Sequence, residues 1–356
     1  MIHDGDGVTA SSLARLRLGV VRSPQVSVVI PTRNRPDLVV RAVRSALEQT
    51  LRDLEVIVVV DGPDPSTREA LALVRDSRLR TIELEESGGA QNARNVGAQR
   101  AAGEWTAFLD DDDEWLPEKL TRQLEAAEAS PYELPVVACR LYLRTPRADT
   151  VLPRRLPREG EPPSEYLTVR RGLFHGEGFI QTSTIMAPTS LLRRVPFTLG
   201  VRRAQELDWS LRCLELPGSG LVYADQPLVI WYADENRKRV SSEAPWRQSI
   251  EWLKETRQRV TPRAYAALAM SVVASMAATS RSPRVFFGLL GEAIKHGRPG
   301  VIDFVTYFQV WLLPAGLRRV LRDRAIGRPP AVGEPGVLGA DTVGEPRGAN
   351  GRATAR

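Results

Sequence analysis

The sequence predicts an α/β fold built on a parallel sheet covered on both faces, followed by a helical region. Three observations predict it. Unbroken apolar runs such as "VSVVI" and "EVIVVV" alternate with segments whose apolar residues recur at helical spacing. The runs lack the in–out alternation of a half-solvated sheet, so both of their faces should be buried. The polar segments "PTRNRP", "DGPDP" and "DDDDEW" each follow directly after a strand, where open α/β sheets collect ligands.

Residues 1–24 carry no strong period and read as a flexible leader. The first strand is expected at 26–30, and a helix over 36–49. There a proline suits the first turn, and Leu38, Val39, Ala42, Val43, Ala46 and Leu47 follow the helical period. A second strand at 55–60 leads to a helix in "STREALALVRD", with Ser66 and Glu69 in capping-box spacing. "LRTIEL" reads as a strand, "GAQNARNVGAQRAA" as a helix, and "WTAFL" as a fourth strand ending at the aspartates. "EKLTRQLEAAE", after Pro117, starts another helix. The Pro- and Arg-rich stretch from about 145 to 172 predicts a long loop. After it come "FIQTSTIMAP", a helix around "QELDWSLRCLEL" and a strand at "PLVIWY". From Trp246 the pattern is helical, with Trp246, Ile250 and Leu253 on one face and two or three further helices to about 325. The last thirty residues hold seven glycines and four prolines without apolar period, which predicts disorder. The expected division is a leader (1–24), an α/β domain (25–235, in halves 25–120 and 121–235), a helical region (236–326) and a tail (327–356).

Composition excludes several classes. With 356 residues, 42% hydrophobic and 26% charged, the chain has the makeup of a globular protein with an ample core. Net charge is +6, but only four of the 49 basic residues are lysine, leaving 45 arginines. So uniform a bias argues for genomic composition rather than a nucleic-acid patch. Two cysteines, Cys139 and Cys213, rule out a disulfide scaffold and a cysteine-rich zinc site. The three histidines, His3, His175 and His296, lie far apart. Arginines interrupt any N-terminal signal core, and no apolar run reaches the ~20 residues of a spanning helix. A cytoplasmic protein is expected, with peripheral contact at the inner face of a membrane as a further expectation for the aromatic and basic C-terminal helices.

Asp110, Asp111, Asp112 and Asp113 stand in a row after the fourth strand. A solvated helix N-terminus is one explanation, because acidic residues favour a first turn. The other is a site for a hard divalent cation such as Mg²⁺ or Mn²⁺, which takes oxygen ligands and bridges carboxylates to substrate phosphates. "SVVIPTRNRPDLVVRAVRSALEQT", "EVIVVVDGP" and "NARNVGAQRAAGEWTAFLDDDDEWLPEKL" together resemble the family 2 glycosyltransferases of GT-A fold, a Rossmann-like mixed sheet. The likeness is strong over about 26–120 and traceable to about 232. It implies an inverting, metal-dependent transfer of a sugar from a nucleotide diphosphate, UDP or dTDP, to an acceptor hydroxyl. Glycan, lipid-linked and small-molecule acceptors all fit it. The resemblance also implies that Pro31, Thr32 and Arg35 line the nucleotide pocket with Asp61, Arg94, Asp110 and Asp111. Asp112, Asp110 and Asp113 would hold Mg²⁺ or Mn²⁺.

Inverting transfer needs a carboxylate that takes the acceptor's proton. The family's acidic motif maps to "AQELDWSLR", which makes Glu206 the first candidate and Asp208 the second. On a helix these two point to different faces. Trp209 and Leu211 read as core, and "GFIQTSTIMAP" as the floor of the acceptor site. The alternative is a catalytically inactive scaffold of the same fold, suggested by Gln205–Glu206 where the family has an acidic pair or Gln-Asp. A dinucleotide-dependent oxidoreductase would need G-x-G-x-x-G after the first strand, where "PTRNRP" stands. A calcium module would need spaced ligands.

Overall fold

The computed structural model describes residues 23–145, 148–172, 176–201, 204–232, 246–313 and 317–318. Nearly all of the expected leader, and the whole of the expected tail, lie outside the described residues. The first half is built as the apolar runs dictate. Strands β1 (Val26–Thr32), β2 (Leu54–Val60), β3 (Leu79–Glu83) and β4 (Trp105–Phe108) are mutually parallel in the order β3-β2-β1-β4. Helices α1 (Pro36–Leu47), α2 (Pro65–Ala72) and α3 (Ala90–Arg100) connect them. All seven β1 residues are buried, and its side chains divide between two cores. Val26, Val28 and Ile30 join Val39 and Val43 of α1, while Val29 joins Ala93 and Ala98 of α3 on the other face. A Cβ at Gly97 would lie 2.3 Å from the Val29 Cγ1, so α3 sits on the sheet as closely as a glycine allows. The strand order reverses direction between β1 and β4, which opens a crevice at their carboxyl ends.

Two local expectations are corrected. Helix α2 is capped by Asp64, whose carboxylate accepts the Thr67 N–H at 3.1 Å, and not by a Ser66–Glu69 box. Pro65 occupies the first helical turn, so the cap falls on the residue before it. The aspartates do not open a helix. They form the turn between β4 and β5 (Glu114–Trp115), and α4 begins only at Lys119 (Lys119–Glu128).

The second half continues the sheet in mixed orientation. Strand β8 (Met186–Pro188) pairs antiparallel to β4, followed by β6 (Leu134–Arg144), β9 (Ser219–Tyr232) and β5, with β7 (Asp149–Leu152) beside β6. The expected loop at 145–172 therefore contains β7, which pairs antiparallel to β6, and a short helix, α5 (Pro163–Thr168). Helices α6 (Thr189–Arg194) and α7 (Gln205–Cys213) cover one face. Trp209 is fully buried and stacks on Phe197 at 5.4 Å, and Leu211 is buried too, so both are core. Cys139 and Cys213 are buried free thiols.

The helical region begins with α8 (Trp246–Thr256). Next, α9 (Pro262–Ala267) runs through a π-helical segment at Leu268–Val273 into α10 (Ala274–Ala277), and α11 (Pro283–His296) and α12 (Val301–Leu312) follow. Leu253, Tyr265, Met270, Leu289 and Tyr307 form a third apolar core, on which Leu207 of α7 packs. No helix among the described residues is long and apolar enough to cross a membrane.

Candidate active site

Sheet register assembles the site. Because β8 runs antiparallel to β4, with Met186 opposite Ala107, the residues preceding β8 lie beyond the carboxyl end of β4. The segment Gln181–Ser183 thus meets the aspartate turn. Apolar side chains end there, and every polar group must find a partner.

The four aspartates occupy four environments. Asp111 is buried and accepts Thr32 Oγ1 at 2.8 Å and Arg35 Nη1 at 2.9 Å. Burial pushes its pKa up to about 6; Arg35 pulls it back and Asp112 adds to the rise. Asp112 is partly exposed, 3.3 Å from Arg35 Nη1, and its carbonyl accepts Arg41 Nη2 at 2.8 Å. Asp110, also partly exposed, accepts Arg94 Nη2 at 2.5 Å and Gln181 Nε2 at 3.3 Å. Asp113 is withdrawn from solvent: its Oδ2 accepts Ser183 Oγ at 2.6 Å and Gln181 Nε2 at 2.9 Å. Asp113 thus lies behind the turn, beneath Asp110 and Asp112. Burial, and then the charges of Asp110 and Asp112, raise its pKa well above the carboxylate range. Its Oδ1 is buried with no hydrogen-bond partner.

The turn gathers four carboxylates, of which those of Asp110 and Asp112 are partly exposed. The donors are all hard carboxylate oxygens, as Mg²⁺ or Mn²⁺ requires. Among the described residues no group of three or more histidine, cysteine, aspartate or glutamate side chains is arranged to hold an ion unaided. Asp110 and Asp112, the partly exposed pair, fit an ion that takes one or two carboxylates and completes its shell with phosphate oxygens and water.

The other expected residues converge on the same crevice. Pro31 and Thr32 end β1, and Arg35 caps α1. Asp61, just after β2, accepts Ser87 Oγ at 2.7 Å and the N–H groups of Gly88 and Gly89 at 2.8 and 3.0 Å. It braces the loop that starts α3, and the exposed Arg33 lies 3.9 Å away at the rim. Arg94 is buried and not a surface arginine: it joins Asp110 to Gln205 Oε1 (3.0 Å) with its guanidinium over Phe197. Asn95 pairs with the N–H and carbonyl of Phe197.

Arg94 therefore ties the aspartate turn to the start of α7, where Glu206 lies half-buried. Thr182 Oγ1 is 3.4 Å from Glu206 Oε1. Burial raises the Glu206 pKa; its own N–H and Arg94 oppose the shift, and Asp110 adds to it. Asp208 is turned away. Its carboxylate accepts Thr198 Oγ1 (2.7 Å), Arg212 Nε (3.1 Å) and, from the helical region, Trp252 Nε1 (2.8 Å). The second candidate base is thus a structural tie, because residues two apart on α7 cannot share a face.

Sequence reasoning gave no specific part to Gln181, Ser183, Gln205 or Arg41. Arg41 binds Glu114 at 2.9 Å and lies 4.3 Å over the Tyr232 ring, bracing the turn from α1. The signal for Gln181–Ser183 was present as a polar triplet before an apolar strand, but its partners are some seventy residues away.

A parallel Rossmann-like half-sheet ending in an acidic turn at its switch point, extended by a mixed half carrying a facing carboxylate, defines the GT-A class of nucleotide-sugar transferase folds. Residues 27–197 match the family described as Glycosyl transferase family 2. The matched segment is just under half of the chain and spans the parallel half of the sheet and the aspartate turn. It is 39% identical over 113 residues to the succinoglycan biosynthesis protein ExoO of Rhizobium meliloti (strain 1021), covering 32% of each chain. It is 35% identical over 103 residues to the Escherichia coli UDP-Glc:alpha-D-GlcNAc-diphosphoundecaprenol beta-1,3-glucosyltransferase WfaP, covering 29% of this chain and 41% of that one. The chain thus spans well under half the length of these curated relatives. Among solved structures, S. aureus TarS 1-349 in complex with UDP-GlcNAc matches at a TM-score of 0.47 and 18% identity, over 80% of this chain and 79% of that one.

Proposed function

We propose that the chain is an inverting, divalent-metal-dependent glycosyltransferase that moves a sugar from a UDP- or dTDP-sugar to an acceptor hydroxyl in cell-surface glycan synthesis. The observation that carries this reading is the Asp110–Arg94–Gln205 bridge, which sets the half-buried Glu206 across the crevice from the aspartate turn. The polysaccharide and lipid-linked roles in the names of ExoO and WfaP support the acceptor class.

In this reading Pro31, Thr32, Arg35 and Asp61 line the nucleotide side. Asp112 and Asp110 hold a Mg²⁺ or Mn²⁺ ion, which supplies Lewis-acid stabilisation of the departing diphosphate when bound. Asp111 and Asp113 fix the turn from below through Thr32, Ser183 and Gln181. Glu206 accepts the acceptor's hydroxyl proton as the new C–O bond forms and the bond to the nucleotide diphosphate breaks. Burial raises its pKa, the direction that favours a base taking up that proton. Arg94 offsets part of the repulsion between Glu206 and Asp110.

Calorimetric titration of UDP with and without Mn²⁺, on wild type and Asp112→Ala, tests the donor side. Metal-dependent binding lost in the variant is the expected result. Turnover of UDP- and dTDP-sugars then separates an enzyme from a nucleotide-binding scaffold, which would bind without turning over.

A further inference from the structure

We propose that the exposed face of the α11–α12 hairpin docks on an anionic lipid bilayer. Each helix carries an apolar stripe that nothing in the described chain covers. On α11 it is formed by Phe287 (68% exposed) and Ile294 (54%), with Gly288 and Gly291 between them. A Cβ built on either glycine meets no atom within 4 Å, so the stripe faces outward. On α12, Val301 (79%), Phe308 (42%) and Leu312 (71%) stand at spacings of seven and four, one face of a helix. The two stripes adjoin: the Phe286 ring lies 5.0 Å from that of Phe287 and 6.0 Å from that of Phe308. A contiguous apolar surface of this kind marks a binding face.

Charge selects the occupant. Arg281, Arg284, Lys295 and Arg298 are exposed around the stripes. The only acids between 281 and 313 are withdrawn: Glu292 accepts the Tyr265 hydroxyl at 2.7 Å, and the buried Asp303 pairs with Arg263. A shallow hollow at the start of α12, beside Val301, adds Arg170 and Arg171 next to Glu165. The sequence after α12, "GLRRVLRDRAIGR", continues with five arginines and one aspartate. Apolar side chains ringed by cations on helices too short to span match a surface-lying interfacial element on anionic lipid. The docking does not depend on the proposed sugar transfer.

Sedimentation of the full chain with vesicles tests it. One set is phosphatidylcholine alone, and the other includes about a quarter phosphatidylglycerol. Expected are binding to the anionic set, weakening with salt, and a loss of about tenfold or more for Phe287→Glu with Phe308→Glu. Arg284→Gln with Lys295→Gln should blunt the salt dependence. If the glutamate pair lowers the urea midpoint, Val301→Ser with Leu312→Ser takes its place. Absence of binding overturns the proposal, as does binding that ignores the apolar pair, which would assign it to the arginines alone. So does a wild-type dimer that the apolar pair converts to monomer without any vesicle binding, since the face would then join two copies.

Discussion

At the scale of single residues, Glu206 and Asp208 are two carboxylates on one helix with different surroundings. Glu206→Gln should lower kcat by about 10²–10⁴ while leaving UDP affinity within a few-fold, read by steady-state kinetics beside calorimetry. Asp208→Asn should keep most of kcat but lower the unfolding free energy by ~1–3 kcal/mol, read from denaturant melts, because Thr198, Arg212 and Trp252 all donate to that carboxylate. A kcat collapse in the Asp208 variant with unchanged stability would reverse the assignment. Lys119 offers a second residue-scale test. It is wholly buried over the Trp115 ring, bonded to Gln123 Oε1, and burial pulls its pKa down to about 8. The unfolded chain holds that proton up to about 10.4, so between these values unfolding takes up a proton and stability rises with pH. Measured from pH 7.5 to about 9.5, wild type should gain on Lys119→Met by roughly 1–3 kcal/mol; parallel curves would contradict the shift. The motif residues were legible in the sequence, but their burial was not, since Asp110 to Asp113 are alike until a fold distinguishes them.

At the scale of elements, the parallel half was legible almost strand for strand, because buried strands and covering helices leave unmistakable apolar periods. The second half was less so. Strand β6 went unread although "VVAC" is a short apolar run, since a run of that length has no distinguishing period without its neighbours. Strand β7 was hidden in a Pro- and Arg-rich stretch that reads as loop. Close contact between elements is just as invisible in sequence. Gly97 looks like a weak point in α3, yet it permits the approach to Val29 that holds Arg94 over the crevice. Gly97→Ala should therefore destabilise by about 1–3 kcal/mol, despite alanine's better helix propensity. A rise in melting temperature for that variant would show that α3 can shift without loss.

At the scale of the whole molecule, the crevice joins strand ends from one half of the sheet to a helix start from the other, so ligand binding should stabilise the fold as a unit. UDP with Mn²⁺ at a hundredfold over its dissociation constant should add about 2.7 kcal/mol, seen as a rise in melting temperature. EDTA should remove that gain, and Asp112→Ala should never show it. The helical region shares this unit through Leu207 on its core and Trp252 on Asp208. By itself the sequence determined the class of fold, the parallel run of the first apolar strands and the place of the acidic turn at a strand end, because buried strands and charged turns are written in local composition. Only the tertiary structure decided which aspartates face solvent, that Arg94 bridges to Gln205, and that Glu206 and not Asp208 looks into the crevice. Those outcomes depend on contacts between residues some seventy to a hundred and ten positions apart, set by the antiparallel register of β8 on β4 and the seating of α7, and no local pattern encodes them.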